Sequence, residues 1–552
     1  MKPTRLGLNK GLVVSAPWGH RFKRTPRRSP HVAEGWKSLR AFIRRLPWYR
    51  FAAGVVAGGV GLLVTFLMRA FGLGVFLPEI AVDFVVGRIP GAIESFFIRT
   101  LGEGAKLLAL LTALAVFLVL PGIYATLYRR VQRWLKNRWL VMAFFTFSSA
   151  GIVMLVILPI LAAGLLGSNT SVGIGFAVFS QLIGYWLYAA LLDYLLVDVA
   201  AEHPGGFSLS RRQFIAGTIG AIAVAALTVY GLGSLISKKG RLVFASIGEM
   251  FSKEQTPTSE FYVVTKNVFD PTVDVGTWLL SIGGLVSNPT TYSYGPRTGS
   301  VDLLSMPTVD EFVTLECVSN EVGGNLISMA EWTGVRLATI LQSAGIDPTA
   351  DWIIFTCADG YTAGIPISKA MDPSALVAIY MNGGRLVTAH GYPARIIVPG
   401  LYGMFHAKWV TKIEAVQGEF RGYWQQKGWT NSDDSHGRVN TVAIVAVPAD
   451  NAVVGGSVEI GGVAFAGDRG ISRVEVSTDG GSTWTDATLY PRPGRGLTWV
   501  LWTFNWTPPR GGSFRIVARA YDAAGVIQDS TPAPPFPNGS SGYDSTTLLV
   551  SQ

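Results

Sequence analysis

Two cysteines occur in 552 residues, and one of them, Cys317, stands where a thiol can do chemistry. Phe312 to Glu316 alternates apolar and polar side chains like a short strand and delivers Cys317 into the first turn of a loop, Cys317-Val318-Ser319-Asn320. A thiolate is a soft ligand suited to a heavy metal, and a loop at a strand end can hold it rigidly. A lone cysteine is also a common core filler, so its surroundings must decide. Cys357 follows an apolar run and reads as core. Two cysteines imply no disulfide framework, although their number allows one bridge, and no Cys or His spacing resembles a zinc site.

The chain that must position Cys317 is long enough for three or four domains. It is 49% hydrophobic and only 15% charged, which points to a membrane protein. Its formal charge of +10 is concentrated in the first fifty residues and in short loops between apolar runs. That placement fits retention on the cytoplasmic side of a membrane and argues against a nucleic-acid partner. Residues 1–50 read as a basic cytoplasmic tail, with no cleavable signal peptide because the first apolar run begins near Phe51. Five spans are expected near 51–70, 105–127, 140–166, 172–196 and 215–236, with 71–104 lying along the outer interface as amphipathic helix. The basic loops at Arg129–Arg138 and Arg211-Arg212 place everything after Leu235 outside, periplasmic or extracellular. None of the six histidines falls in a span, so bis-histidine haem in the bilayer is not expected. Asp193, without a visible partner, reads as interfacial.

Ser210-Arg211-Arg212-Gln213-Phe214-Ile215, before a Gly- and Ala-rich apolar run, resembles an internal twin-arginine signal, whose pathway exports folded, cofactor-loaded proteins. Two positive-inside arginines before a span are the simpler alternative. Residues 237–258 read as a polar linker. Beyond it come short strands broken by Gly, Pro and Asp, among them Leu279–Val286 and Trp352–Thr356. Thr308–Glu311 and Ser328–Glu331 are similar to capping boxes, and Trp332–Ala344 has helical spacing. Residues 259–432 are therefore expected to be a mixed α+β domain, with neither a dinucleotide fingerprint nor a P-loop. From 433 to 552 regular strands, the Asp479-Gly480-Gly481 turn and several tryptophans predict an all-β, Ig-like sandwich.

Thr314-Leu315-Glu316-Cys317 is followed in order by Glu331–Leu337, Gly360-Tyr361-Thr362-Ala363-Gly364-Ile365-Pro366 and Ala370-Met371-Asp372-Pro373. Then come Met381-Asn382-Gly383-Gly384, His390-Gly391-Tyr392-Pro393-Ala394-Arg395 and Lys408-Trp409. Over about 259–430 these blocks resemble the molybdopterin-binding domain of the sulfite oxidase family. The resemblance implies a molybdenum centre on one pyranopterin dithiolene (the molybdenum-molybdopterin cofactor), with Cys317 as the protein's ligand to the metal. It also implies His390 and Arg395 as cofactor contacts, Asn267 as an early contact, and Tyr361 as the tyrosine beside the metal-bound oxygen. The chemistry agrees, because a pterin phosphate needs cationic or N–H donors and Lys266, Asn267, His390, Arg395, His406 and Lys408 can supply them. Each isolated cation also has the bland reading of a solvated surface group.

One departure bears on the substrate. Family members follow the cysteine with a stretch ending in paired arginines, where this chain has Asn320-Glu321-Val322. Fewer cations and an added carboxylate would weaken attraction for a sulfite dianion, which leaves sulfite itself in doubt. The sequence thus predicts a membrane-anchored molybdopterin-dependent oxidoreductase that transfers oxygen atoms, with sulfoxide or N-oxide reduction as the alternative direction. Electrons would pass to or from a separate carrier, a cytochrome or a quinone-linked membrane protein. Val474–Trp484 resembles the dimerisation domain that accompanies this family, so a homodimer is implied. The rival from another class is a non-enzymatic, membrane-displayed binding module with a degenerate cofactor domain.

Overall fold

The computed structural model describes residues 48–551 apart from 102–103, 171, 203–239, 431–436 and 495. Its amino-terminal region is helical: α1 (Trp48–Ala70), α2 (Leu77–Val86), α3 (Gly91–Leu101), α4 (Gly104–Ala125), α5 (Tyr128–Leu135), α6 (Arg138–Ile152) and α7 (Gly173–Glu202). Four stretches among the described residues are long and apolar enough to cross a membrane: Trp48–Ala70, Ala105–Ala125, Arg138–Ile160 and Gly173–Leu196. The fifth expected span, 215–236, and the Ser210-Arg211-Arg212 motif lie outside the described residues. Small residues let the helices approach closely. A Cβ on Gly61 would come within 2.7 Å of the Gly184 carbonyl oxygen in α7, and one on Gly58 within 2.7 Å of the Pro121 ring in α4.

Asp193 differs from expectation. It is fully buried, accepts a hydrogen bond from the Tyr128 hydroxyl at 2.5 Å and is ion-paired with Arg138. Its partners lie on α5 and α6, more than fifty positions away in the chain, which is why the sequence did not display them. A carboxylate at the end of a span is tolerated when it is clamped in this way.

The central domain holds two sheets. The first runs β3 (Val301–Asp302), β2 (Thr290–Ser293), β1 (Leu279–Gly284), β11 (Val410–Val416), β6 (Trp352–Cys357) and β7 (Thr362–Pro366). The second runs β10 (Arg395–Ile397), β8 (Leu376–Met381), β5 (Ile327–Arg336) and β4 (Val309–Glu316), with β9 (Gly384–Arg385) on β8. The two expected capping boxes are strand instead. β4 and β5 pair without interruption from Val309 opposite Gly334 to Glu316 opposite Ile327, and the helix expected from Trp332 begins only at Leu337. Trp332, wholly buried, packs with Phe261, Val313, Leu315 and Leu376. Burial on a sheet face overrides the local helical pattern there.

The expected linker is folded in its described part. Phe244 and Met250 are buried, and Phe244 N–H donates to the Ala446 carbonyl at 3.1 Å. The carboxy-terminal domain is two sheets packed face to face. One is β12 (Val442–Val447), β14 (Val458–Phe465), β18 (Val500–Trp506) and β17 (Thr488–Tyr490). The other is β13 (Ala452–Val454), β20 (Asp544–Val550), β19 (Gly512–Asp522), β15 (Ile471–Ser477) and β16 (Thr485–Asp486). Their shared core contains Val445, Ile460, Trp502, Val474, Ile516 and Leu548. The opposite face of the first sheet packs on Val318, Ile327 and Met329, beside Cys317.

Trp332→Ala should lower the stability of the central domain by about 3–5 kcal/mol, because a buried indole leaves a cavity that a paired strand cannot collapse. Denaturant unfolding followed by circular dichroism measures it, and a loss under about 1 kcal/mol would contradict this packing.

Candidate functional site

Cys317 directly follows β4 and stands at the wall of a cleft open to solvent. Two side chains hold the loop that follows. Asn320, buried, donates from Nδ2 to Glu316 Oε1 at 3.0 Å and accepts the Leu326 N–H at 2.9 Å. Cys317 N–H donates to the Leu326 carbonyl and Asn320 N–H to the Cys317 carbonyl, both at 2.9 Å. This hook fixes the backbone on both sides of the thiol, whose sulfur lies 3.1 Å from Ser319 Oγ. Burial pushes the Glu316 carboxyl up to about 7, against the lowering effect of Asn320. Asn320 was read from sequence only as a missing arginine; its positioning role depends on Leu326, whose place the sequence does not reveal. Cys357 is buried in the core of the first sheet, and neither cysteine is in a disulfide.

Opposite the thiol stand cations with few counter-charges. Arg395, 5% exposed, donates to the carbonyls of His390 and His406 at 3.2 and 3.3 Å and lies over the Trp332 ring at 4.9 Å. Its Nε is buried and without a hydrogen-bond partner among the described residues. Burial draws its guanidinium down to about 10. Lys408 donates to the Ala389 carbonyl at 3.0 Å, and burial lowers it from 10.5 to about 8, partly offset by Asp270. His390 Nε2 donates to the Thr258 carbonyl at 2.9 Å, and burial lowers its pKa to about 4, so the ring is neutral at pH 7.

The remaining expected residues divide. Lys266 reaches the cleft but is held by Asn267 Oδ1 at 2.8 Å and the Asp359 carbonyl at 2.9 Å. Asn267 does not line the cleft. It donates to Asp359 Oδ2 at 2.9 Å and faces a neighbouring cavity, so it orients Lys266 from behind. His406 lines the cleft with both ring nitrogens spent, Nε2 donating to the Leu401 carbonyl and Nδ1 accepting the Val398 N–H. It is a structural histidine with no nitrogen for a ligand, because the turn it closes needs both. Tyr361 lines the cleft, and its hydroxyl donates to the Met404 carbonyl at 2.6 Å. Burial raises its pKa well above the usual value. Asp359, not foreseen, organises this side: its Oδ1 accepts the Tyr361 N–H at 3.0 Å in the turn between β6 and β7. The Asp359-Gly360 pair was the available signal. Glu321 is exposed and not on the cleft wall, so its carboxylate does not set the charge there.

This donor set fits the cofactor that the family resemblance implies. Among the described residues no cluster of three His, Cys, Asp or Glu stands ready to hold a metal. A metal at Cys317 must bring most of its ligands with it, as one carried on a dithiolene does. Arg395 Nε is a buried donor awaiting an acceptor, and a phosphate supplies one.

Asn320→Ala should destabilise the fold by about 1–3 kcal/mol by stranding the Glu316 carboxyl and the Leu326 N–H, as thermal unfolding would register. Lys408→Met should stabilise the cofactor-free protein at pH 7. The unfolded chain protonates Lys408 below 10.5 while the folded chain resists until about 8. The gain is therefore full below about 8, at most on the order of 3 kcal/mol, and fades as pH rises towards 10.5. A gain that stays constant across that window would contradict the assignment.

Residues 267–424 match the oxidoreductase molybdopterin binding domain and residues 435–533 the Mo-co oxidoreductase dimerisation domain. Human mitochondrial sulfite oxidase is 34% identical over 276 residues, which cover 42% of this chain and 51% of that protein. The sulfite oxidase of Arabidopsis thaliana is 29% identical over 336 residues, covering 50% of this chain and 83% of its own. The chain thus spans about half the length of the mitochondrial relatives it matches. A crystal structure of the sulfane dehydrogenase SoxCD from Paracoccus pantotrophus aligns with a TM-score of 0.45 at 22% identity, covering 54% of this chain and 84% of that one. The central and carboxy-terminal regions thus carry the two domain matches of a molybdopterin-dependent oxidoreductase, and sulfite oxidases are among the proteins the chain resembles.

Proposed function

We propose that the chain is a membrane-anchored molybdenum-cofactor oxidoreductase that transfers an oxygen atom to a small sulfur oxyanion outside the cytoplasm. The observation that carries this reading is that Cys317 lines the same cleft as the buried Arg395, which lacks an anionic partner among the described residues. When bound, the cofactor supplies a molybdenum centre that changes oxidation state by two electrons. Cys317 would ligate the metal, with Asn320 fixing the thiol's direction. Arg395, Lys408 and His390 would hold the anionic and hydrogen-bonding parts of the pterin. Tyr361 would orient water or substrate through its phenol oxygen, and it can pass a proton only by opening the Met404 contact.

Sulfite stays a candidate substrate: Glu321 does not line the cleft, so the doubt about it rests on the absent paired arginines alone. Its oxidation to sulfate consumes one water and releases two protons and two electrons. A second reading, reduction of a sulfoxide or N-oxide, is favoured by Trp424, Trp429 and Met404 on the cleft wall, which suit a neutral substrate. A fifth span at 215–236, with basic loops retained inside, would put both globular domains on the outer side. The dimerisation-domain match supports a homodimer, and the two-sheet domain is read as Ig-like. Electrons would leave to a separate carrier.

Protein purified from a cofactor-competent host should contain about one molybdenum and one pterin per chain by metal and fluorescence analysis. Cys317→Ser should fold normally yet lose turnover to background. Absence of molybdenum in the wild type, or undiminished turnover in the variant, would overturn the reading. A panel of sulfite, sulfoxides and N-oxides, offered to oxidised and reduced enzyme, then fixes the direction.

A further inference from the structure

A second cavity, open to solvent on one side, lies where the helical region meets the central domain. It shares Lys266 and Asp359 with the cofactor cleft, so one wall separates the two. Its apolar side is Val75, Phe76, Ile80, Phe84 and Phe269; its polar side includes Asp83, Lys266, Asn267 and Asp359. The junction is firmly made. Lys427 donates to Glu94 at 3.0 Å and to the Val86 carbonyl at 2.5 Å, Lys106 donates to the Thr265 carbonyl, and the rings of Phe66 and Phe269 lie 5.9 Å apart.

We propose that this cavity is a quinone site, where a membrane-soluble quinone sets its head group between Asp83 and the Lys266–Asn267 pair. The inference rests on the proposed function, which supplies the electrons and the bilayer. The balance closes: substrate and water yield the oxygenated product, two electrons and two protons, and a quinone that takes up all four becomes quinol. No other oxidant is required.

The charges select a neutral head group. Arg69 is spent on Glu79 in a two-pronged pair, both contacts 2.9 Å, and Lys266 is held by Asn267 and Asp359. Arg88 lies over the Phe84 ring at 3.6 Å. Asp83 Oδ1 remains buried and unpartnered among the described residues. A phospholipid phosphate would meet Glu79, Asp83 and Asp359 there, whereas a quinone oxygen accepts a proton or a hydrogen bond. Burial, then Glu79, raises Asp83 to about 7, opposed by Lys266 and Lys106. A carboxyl of that kind gains and loses a proton near neutral pH. Asp359 and Lys266, common to both cavities, would carry protons between them.

Full-length protein in detergent, with and without the cofactor, should be photolabelled by a short-tailed azidoquinone on residues 75–88 or 266–271. Excess unlabelled quinone should remove the label. Asp83→Asn and the cavity-filling Ile80→Trp should each weaken labelling at least about tenfold. Labelling confined to the apolar groove around Gly61 and Tyr188, no labelling, or competition by phosphatidylglycerol instead of quinone would overturn the site. Ferricyanide-linked oxidation of substrate by wild-type enzyme reports on the proposed function separately. Turnover with ferricyanide but no quinone label rejects the cavity alone, whereas quinone label without molybdenum rejects the function and leaves the cavity.

Discussion

A guanidinium buried against carbonyl oxygens is a charge with its solvation removed and no counter-charge in return. Arg395 is in that condition, and Lys408 nearly so. Burying an unpaired cation costs several kcal/mol unless an anion arrives. The central domain accepts that cost by enclosing Arg395 between Trp332 and the His390 and His406 carbonyls, in a sheet whose β4–β5 pair is uninterrupted. The fold is therefore most at ease when the cleft is filled, and binding energy for an anionic cofactor is stored in the protein before it binds.

The thiol is placed by a different device. Cys317 sits between a strand end and a hydrogen-bonded hook, and both depend on contacts from far along the chain. Val318, Ile327 and Met329 pack under the first sheet of the carboxy-terminal domain. The domain that carries no candidate chemistry is thus the floor on which the Cys317 loop rests. Preorganisation of this kind keeps a ligand within a few tenths of an ångström of its working position.

Much of this was legible in the sequence, and the rest was hidden for physical reasons. Cys317, Arg395, His390 and Lys408, expected from blocks that are local and ordered along the chain, do line one cleft. The bonds that occupy His406 and Asn267 were not legible, because sequence displays a side chain's capacity to bond but not the groups that consume it. The partners of Asp193, Asn320 and Asp359 were not legible because each is brought close only by folding or by a turn. The capping-box readings failed at Ser328, whose hydroxyl accepts the Tyr262 N–H at 3.2 Å from a strand. Polar residues that favour helix starts also suit sheet edges with a loop to satisfy.

The hydrogen bonds between Thr314 and the 497–499 segment have a consequence for biosynthesis. Thr314 N–H donates to the Leu497 carbonyl at 3.0 Å, and Trp499 N–H donates to Thr314 Oγ1 at 2.9 Å. A chain emerging from the ribosome amino terminus first has made Cys317 long before it makes Trp499. The strand that carries the ligand is completed only near the end of translation. A chain interrupted before residue 497 would leave the strand that leads to Cys317 without the partners that satisfy Thr314.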